Sequence, residues 1–555
     1  MMDARTGRGA PEVLRSGSIS ASAWLAGAVL LAAALRLHQF STLVLIDDEW
    51  HAIHRVLYWT PARMFVDFNI ADYSIPLGLA YWALAHTVGL SEDLMRLPML
   101  VCGVALVALL PWVVYRRLGI AVALSFALLL ATSPMLIVFS QTARPYGITL
   151  LLAWVAHGAF QRYWQGGTLA GVLYAVCAAL AVWLHPVAGP FVVAPFVWGL
   201  WQLRGLAVDA QRRAVARLGL LALPSAVLML ALVLPPLLAR PAALGEKSGF
   251  SLPAADTLAS VVHWWLGTSS VLVVVVMLAL AAVGARSVLR AFPEARTGLV
   301  GLAMTMLAAV AIRPQFIEHG ATLGRYLLPA IPLLLLLVAA GAGVLARRWT
   351  ARPGIVGVAA TAASILAPAL ALAATSPLPM WLQAPNSHRL ALHFHFDFRA
   401  RSDAKPTYHE GIPFSAFWRQ LAKAPRDTLT IAAAPFHFES YDWDAHRWEL
   451  ASGQRVIPGF LSGLCVDLRF GEVPRGPEFR LANAVHLADR PALARAGIDY
   501  VVWQKPHRHP SHPDRAATGA DTAHCEPVLR AAFASVYEDD ALIAFRVAPP
   551  ARAER

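Results

Sequence analysis

The chain has 555 residues, of which 57% are hydrophobic and only 14% charged. Water-soluble domains carry about 25% charged residues, so a soluble globular protein is excluded and a polytopic membrane protein is indicated. The net charge of +12 does not make it a nucleic-acid binder, because the excess comes from arginines spaced between apolar runs, as the positive-inside rule requires of loops.

Residues 1–20 read as a short cytoplasmic tail with Arg5, Arg8 and Arg15. The next segment, ASAWLAGAVLLAAAL, admits a signal-peptide reading. As an uncleaved first helix it runs directly into STLVLIDDEW and sets Asp47, Asp48 and Glu49 just outside the membrane. Residues 41–92 then form a first outer loop of amphipathic surface helices, with turn signals at Pro61 and Pro76. The apolar piece 76–90 is short. Laid along the surface, it makes 93–115 the second span and puts Arg116 and Arg117 in the cytosol. The later basic clusters, Arg204 to Arg217, Arg286 to Arg296 and Arg347 to Arg352, then fall inside too. Further spans are expected near 120–139, 146–163, 168–185, 187–203, 218–238, 264–284, 297–312, 326–346 and 354–374. The fold class is therefore mainly α: a bundle of about eleven spans over residues 21–375, with residues 376–555 outside.

That tail reads as a small α/β domain. FSAFWRQLAKA and RPALARAG are helical, DTLTIAAAP and IDYVVWQ are buried strands, and SVYEDDALIAFRV is a closing hairpin. FHFESYDWDAHRW combines acids and aromatics suited to carbohydrate, and equally suits a surface loop. Cys465 and Cys525 are the tail's only cysteines; outside the cytosol, where disulfides persist, they are expected to pair. No spacing in the chain suggests a structural zinc site.

Between residues 76 and 375 there are only seven acidic residues, so polar groups at helix ends stand out. The run of Asp47, Asp48 and Glu49 is an ordinary solvated loop or a functional one. On a helix Asp47, His51 and His54 share a face, and carboxylates beside imidazoles serve as a general base or hold a divalent ion. In FSQTARPYGITL, Arg144 precedes a proline and is biased to extended backbone, while Pro145 suits the first turn of the next helix. Arg144 and Tyr146 thus stand at a helix mouth where anions bind; the rival reading is an arginine snorkelling to lipid headgroups. WLHP places His185 at another outer helix end, as a structural hydrogen-bonder or a substrate contact. GRYLLPAIP places Arg325 and Tyr326 at a third, and paired arginines suit a phosphate. Lys247, the only lysine before residue 405, and His319, with Arg313 and Glu318, lie in the adjoining outer segments.

Taken together, the acidic pair after the first helix, SP with SQTARPY, HP, and RYLLP before a long apolar helix resemble the GT-C superfamily of membrane glycosyltransferases. The branch is family 39, with its protein O-mannosyltransferase-like and lipid A aminoarabinose transferase-like enzymes. The resemblance covers about residues 20–345. It implies a polyprenyl-phosphate sugar donor, an acceptor presented on the outer face, and an inverting transfer. The family's acidic pair maps onto Asp48 and Glu49, with Asp48 the base; Arg144 and Tyr146 match its second motif. The family often has H-P-P-L-Y-Y where this chain has SIPLGLAYW, which leaves acceptor binding and a divalent metal open; no other cofactor is implied. The acceptor is a glycan, lipid or protein. The setting is a bacterial-type inner (plasma) membrane, multi-pass, with the tail periplasmic. The alternatives are a flippase or other transporter of lipid-linked sugars, and a scaffold whose tail binds a partner. Transporters gather ionisable groups near the midplane and show repeated halves, whereas here such groups sit at helix ends.

Overall fold

The computed structural model describes residues 18–42, 49, 51–68, 73–243, 245–350, 354–383, 396–397, 399, 402–403, 414–434, 443–457, 488–507 and 523–547. Asp47, Asp48 and Cys465 lie outside the described residues, as do the side chains of His51 and His54.

Helix α1 spans Ser18–Leu37. Three short helices follow: α2 (His51–Tyr58), α3 (Pro61–Val66) and α4 (Ile75–Ala85). Thr60 caps α3, its hydroxyl accepting from the Arg63 N–H. With 11 residues, α4 is about 16 Å long at the α-helical rise, too short for a bilayer core. It packs on α2 and α3, and Tyr81 Oη donates to the Met95 carbonyl at 2.9 Å. The loop thus folds onto the start of α5 (Glu92–Leu118).

Helix α5 is well specified by its sequence. Ser91 accepts from the Leu94 N–H, Glu92 and Asp93 occupy the first turn, and Arg116 and Arg117 the last; each charge complements the helix dipole. Next come α6 (Ile120–Thr132), the one-turn α7 (Pro134–Val138), α8 (Tyr146–Trp164), α9 (Thr168–Leu184), α10 (Gly189–Gln202) and α11 (Val208–Ala239). They are followed by α12 (Ala255–Leu266), α13 (Val271–Ala291), α14 (Pro293–Ile312), α15 (Gly320–Tyr326), α16 (Ala330–Thr350), α17 (Ile355–Thr375) and α18 (Leu378–Gln383).

Among the described residues, seven helices are long and apolar enough to cross a membrane: α5, α10 with its flanking turns, α11, α13, α14, α16 and α17. The other four expected spans fall on α1, on α6 with α7, on α8 and on α9. Ser133–Pro134 interrupts the third expected span, since proline lacks the N–H that would continue the ladder. The expected span 264–284 straddles a break: α12 ends at Gly267, in the left-handed region at φ +67°, and Ser270 caps α13. Helix α11 starts ten residues before its expected span and carries Arg212, Arg213 and Arg217.

Helix α16 is the central one, buried against α13, α17 and α6. A Cβ at Gly284 would overlap the Leu337 carbonyl, and one at Gly341 the Leu280 carbonyl. Small residues let helix backbones approach in this way where lipid supplies no hydrophobic drive. Leu220, Leu272 and Ile355 are among the large apolar side chains left exposed, as a lipid-facing surface requires. Arg117 pairs with Glu294 at 2.7 Å, and Arg217 donates to the Trp164 carbonyl at 3.3 Å. The basic helix ends thereby gather at the end of the bundle opposite the loop that contains Glu49.

The tail carries a five-stranded sheet. Strands β1 (Thr430–Ala434), β2 (Arg455–Ile457) and β3 (Tyr500–Gln504) are parallel; β4 (Ser535–Glu538) and β5 (Leu542–Arg546) form the expected antiparallel hairpin, and the order across the sheet is β2-β1-β3-β5-β4. Ile431, Ala433, Val502 and Ala544 pack one face against helices Ala416–Leu421 and Trp443–Ser452. Ala432, Val501, Trp503 and Phe545 pack the other against Leu493 and Leu529, the period of two that a strand imposes. The last residue of FHFESYDWDAHRW, Trp448, is therefore core. Trp448 is buried and stacked 4.9 Å from Trp418, and Glu449 accepts from the Val456 N–H. Cys525 is disulfide-bonded, whereas Cys102 and Cys177 are free. The tail meets the bundle where Arg399 pairs with Asp256 at the start of α12, holding that carboxyl below its ordinary range. It touches again where Arg455 Nη2 donates to the Ser41 carbonyl at 3.2 Å.

Candidate active site

The site is built around the turn between α7 and α8. Ser140 and Gln141 close the last turn of α7 through N–H bonds to Ile137 and Val138, and the Arg144 N–H reaches the Thr142 carbonyl at 2.8 Å. Pro145 then starts α8. The tight reversal leaves Arg144 buried at the mouth of that helix, as its place before a proline predicts.

Three further elements converge there. The Arg144 guanidinium lies 6.0 Å from the centroid of the Tyr146 ring, and the Arg325 guanidinium 5.4 Å from the same centroid. His185, where α9 ends, meets Tyr146 edge to face at 5.3 Å, and Tyr326 lies 6.4 Å from His185. Phe139 backs the Tyr146 ring at 4.8 Å and leads to Trp264 at 5.7 Å. Five sequence candidates, Arg144, Tyr146, His185, Arg325 and Tyr326, thus form one cluster. Arg325 and Tyr326 are delivered by the packing of α15 on α12. A Cβ on Gly324 would fall 2.7 Å from the Trp264 ring, and Trp265 Nε1 donates to the Gly324 carbonyl at 3.2 Å.

The acidic loop enters from another side. Glu49 is buried, and Arg96 of α5 grips it with both edges of its fork, Nε to Oε1 at 2.8 Å and Nη2 to Oε2 at 2.9 Å. Glu49 Oε1 also accepts the Ala143 N–H at 2.8 Å, one residue before Arg144. Glu49 therefore ties the loop to the turn. Lys247 and His319 belong to the adjoining loops: Lys247 Nζ donates to Gln315 at 3.2 Å, and His319 faces Glu318 at 3.9 Å. Among the described residues no group of three or more His, Cys, Asp or Glu is placed to hold a metal ion.

Arg96 and Arg36 are buried neighbours of the acidic loop and the turn that the sequence reading passed over. Each is a wholly buried arginine on a bundle helix. An ionisable residue inside an apolar run is costly and marks a site by default, and that signal was present in AALRLHQF and EDLMRLPML.

No family model and no curated protein matches the chain. Among solved structures, it aligns with ArnT of Cupriavidus metallidurans in the apo state at 13% identity and a TM-score of 0.45, covering 95% of this chain and 98% of that one. It aligns with ArnT of the same organism bound to undecaprenyl phosphate at 14% identity and a TM-score of 0.44, covering 96% and 99%. The oligosaccharyltransferase of Archaeoglobus fulgidus in complex with zinc and sulfate aligns at 13% identity and a TM-score of 0.39, covering 87% and 68%.

Proposed function

We propose that this chain is an inverting glycosyltransferase that moves a sugar from a polyprenyl-phosphate donor to an acceptor hydroxyl at the outer face of a membrane. One observation carries the reading: the Arg144 and Arg325 guanidinia converge on the single ring of Tyr146. Two guanidinia turned toward one ring offer a phosphate two planar forks of the kind its oxygens favour.

The chemistry follows from the layout. The acceptor oxygen attacks the anomeric carbon while Asp48 takes its proton, with Asp47 beside it. The bond from that carbon to the phosphate oxygen breaks, and negative charge develops on the departing lipid phosphate. Arg144 and Arg325 stabilise that charge as it forms. Glu49, neutralised by Arg96, holds the acidic loop in register instead of taking the proton. Tyr146, Tyr326 and His185 line the donor side; His51, His319 and Lys247 are assigned to the acceptor side. The lipid tail stays between the helices, which explains why the acids lie at the edge of a bilayer. In this reading the tail domain is periplasmic, and the acceptor is a glycan, lipid or protein.

The test uses membranes containing the full chain and a radiolabelled lipid-linked sugar pool, with release of free polyprenyl phosphate as readout. Asp48→Asn keeps size but removes the base, and release is expected to fall at least ~100-fold, the scale of general-base catalysis. Near-normal release in Asp48→Asn refutes the assignment. Movement of label across the membrane with the sugar–phosphate bond intact would identify a transporter instead.

A further inference from the structure

Helix α1 and the α7–α8 turn grip each other in both directions. The Arg36 side chain, wholly buried, donates from Nε to Ser140 Oγ at 3.1 Å, from Nη1 to the Ala131 carbonyl at 3.1 Å and from Nη2 to the Leu130 carbonyl at 3.1 Å. In return, Gln141 Nε2 donates to the Arg36 carbonyl at 2.7 Å and to the His38 carbonyl at 2.9 Å. The break at Pro134 explains the first set. An unbroken helix would give the Leu130 carbonyl the N–H of residue 134, which proline lacks, and a buried carbonyl left without a donor is costly. Arg36 supplies that donor from another helix. Gly103 of α5 makes the room, since a Cβ there would overlap Ser140.

Neither Arg36 nor Gln141 belongs to the ring cluster. Both act on the two chain segments that feed it: α1 runs on into the acidic loop, and the turn runs on into Arg144. Three residues before Arg144 the turn is held by Gln141, and one residue before it by Glu49 through the Ala143 N–H. The acidic loop and Arg144 are thereby fixed relative to each other by two ties. We propose that Arg36 and Gln141 are positioning residues that hold Arg144 at the angle the donor phosphate requires. This inference rests on the reading of Arg144 given above.

The experiment is a double-mutant cycle on the purified full-length protein in lipid nanodiscs, with undecaprenyl phosphate as the probe and thermal unfolding as the control. Gln141→Met keeps the volume and removes the donor. It is expected to weaken binding about tenfold, on the scale of the two hydrogen bonds it removes, and to lower the unfolding temperature modestly through the carbonyls it leaves without a donor. Arg144→Lys alone is expected to weaken binding as well. The variant carrying both is expected to bind no more weakly than Arg144→Lys, because coupled residues are not additive. A merely structural role would give two independent factors that multiply, and that result overturns the proposal. Wild-type binding by Gln141→Met beside weak binding by Arg144→Lys also overturns it, and leaves the site assignment standing. Wild-type binding by Arg144→Lys removes the site assignment and the role of the positioning pair together.

Discussion

Glu49 and Asp48 are adjacent acids to which the proposed function gives different work. Glu49 is closed off by Arg96 and the Ala143 N–H, so changing it should act on stability first. Breaking a buried ion pair from one side costs ~3–5 kcal/mol, whereas replacing both partners by packed neutral groups is far cheaper. Glu49→Gln is therefore expected to lower the unfolding temperature of the detergent-solubilised protein clearly, and the double change Glu49→Gln with Arg96→Met to recover much of it. Asp48→Asn should leave that temperature near wild type while transfer is lost. Equal melting of Glu49→Gln and wild type would show that the pair contributes nothing. In sequence the two acids look alike, and only the chain segment that returns more than forty residues later with Arg96 separates them. Arg144 and His185 were legible because each stands beside a proline at a helix end, where polar groups are rare in so apolar a chain. Arg36 was not, because with His38 close by it reads as an interfacial charge until its side chain is seen turned back onto the carbonyls of α6.

At the scale of elements, the position of Arg325 depends on how closely α15 lies on α12. Gly324→Ala sets a methyl against the Trp264 ring, and overpacking of this kind costs ~1–3 kcal/mol. The helix should shift, carrying Arg325 away from Tyr146. The expected outcome is a loss of transfer larger than the loss of stability, measured side by side. Gly158→Ala on α8 is the control: nothing lies within 4 Å of a Cβ there, and alanine favours a helix interior by roughly 0.5–1 kcal/mol over glycine. If Gly324→Ala transfers sugar as well as Gly158→Ala does, the close packing does not set the site. The sequence reading left residues up to Arg325 in an outer segment and began the next span at Tyr326, so α15 was not recognised as a helix of its own. Pro329 ends the short helix by barring the residue before it from helical backbone, and that separates the binding element from the spanning one.

For the whole molecule, the sequence carried the helical bundle, the strands at 430–434 and 500–504 and the closing hairpin, but not the short strand Arg455–Ile457. It placed several helix boundaries wrongly, because hydropathy averages across breaks such as the one at Gly267. The orientation is tested by fusing a reporter that is active only in the periplasm. Fusion at residue 400 is expected to be active and fusion near residue 210 silent; the reverse pattern overturns the proposed orientation.

The cluster and the residues that tie it in place are also spread along the chain, with Arg36, Glu49, Arg144, His185 and Arg325 drawn from five separate stretches. This orders the birth of the protein. The first helix and the acidic loop are made early, and the turn bearing Arg144 can seat against them while translation continues. The second arginine emerges only after α14 has been synthesised. A nascent chain therefore holds only the first of the two converging arginines while residues 145–324 are made. The proposed site cannot be complete until α15 has followed α14 out of the ribosome.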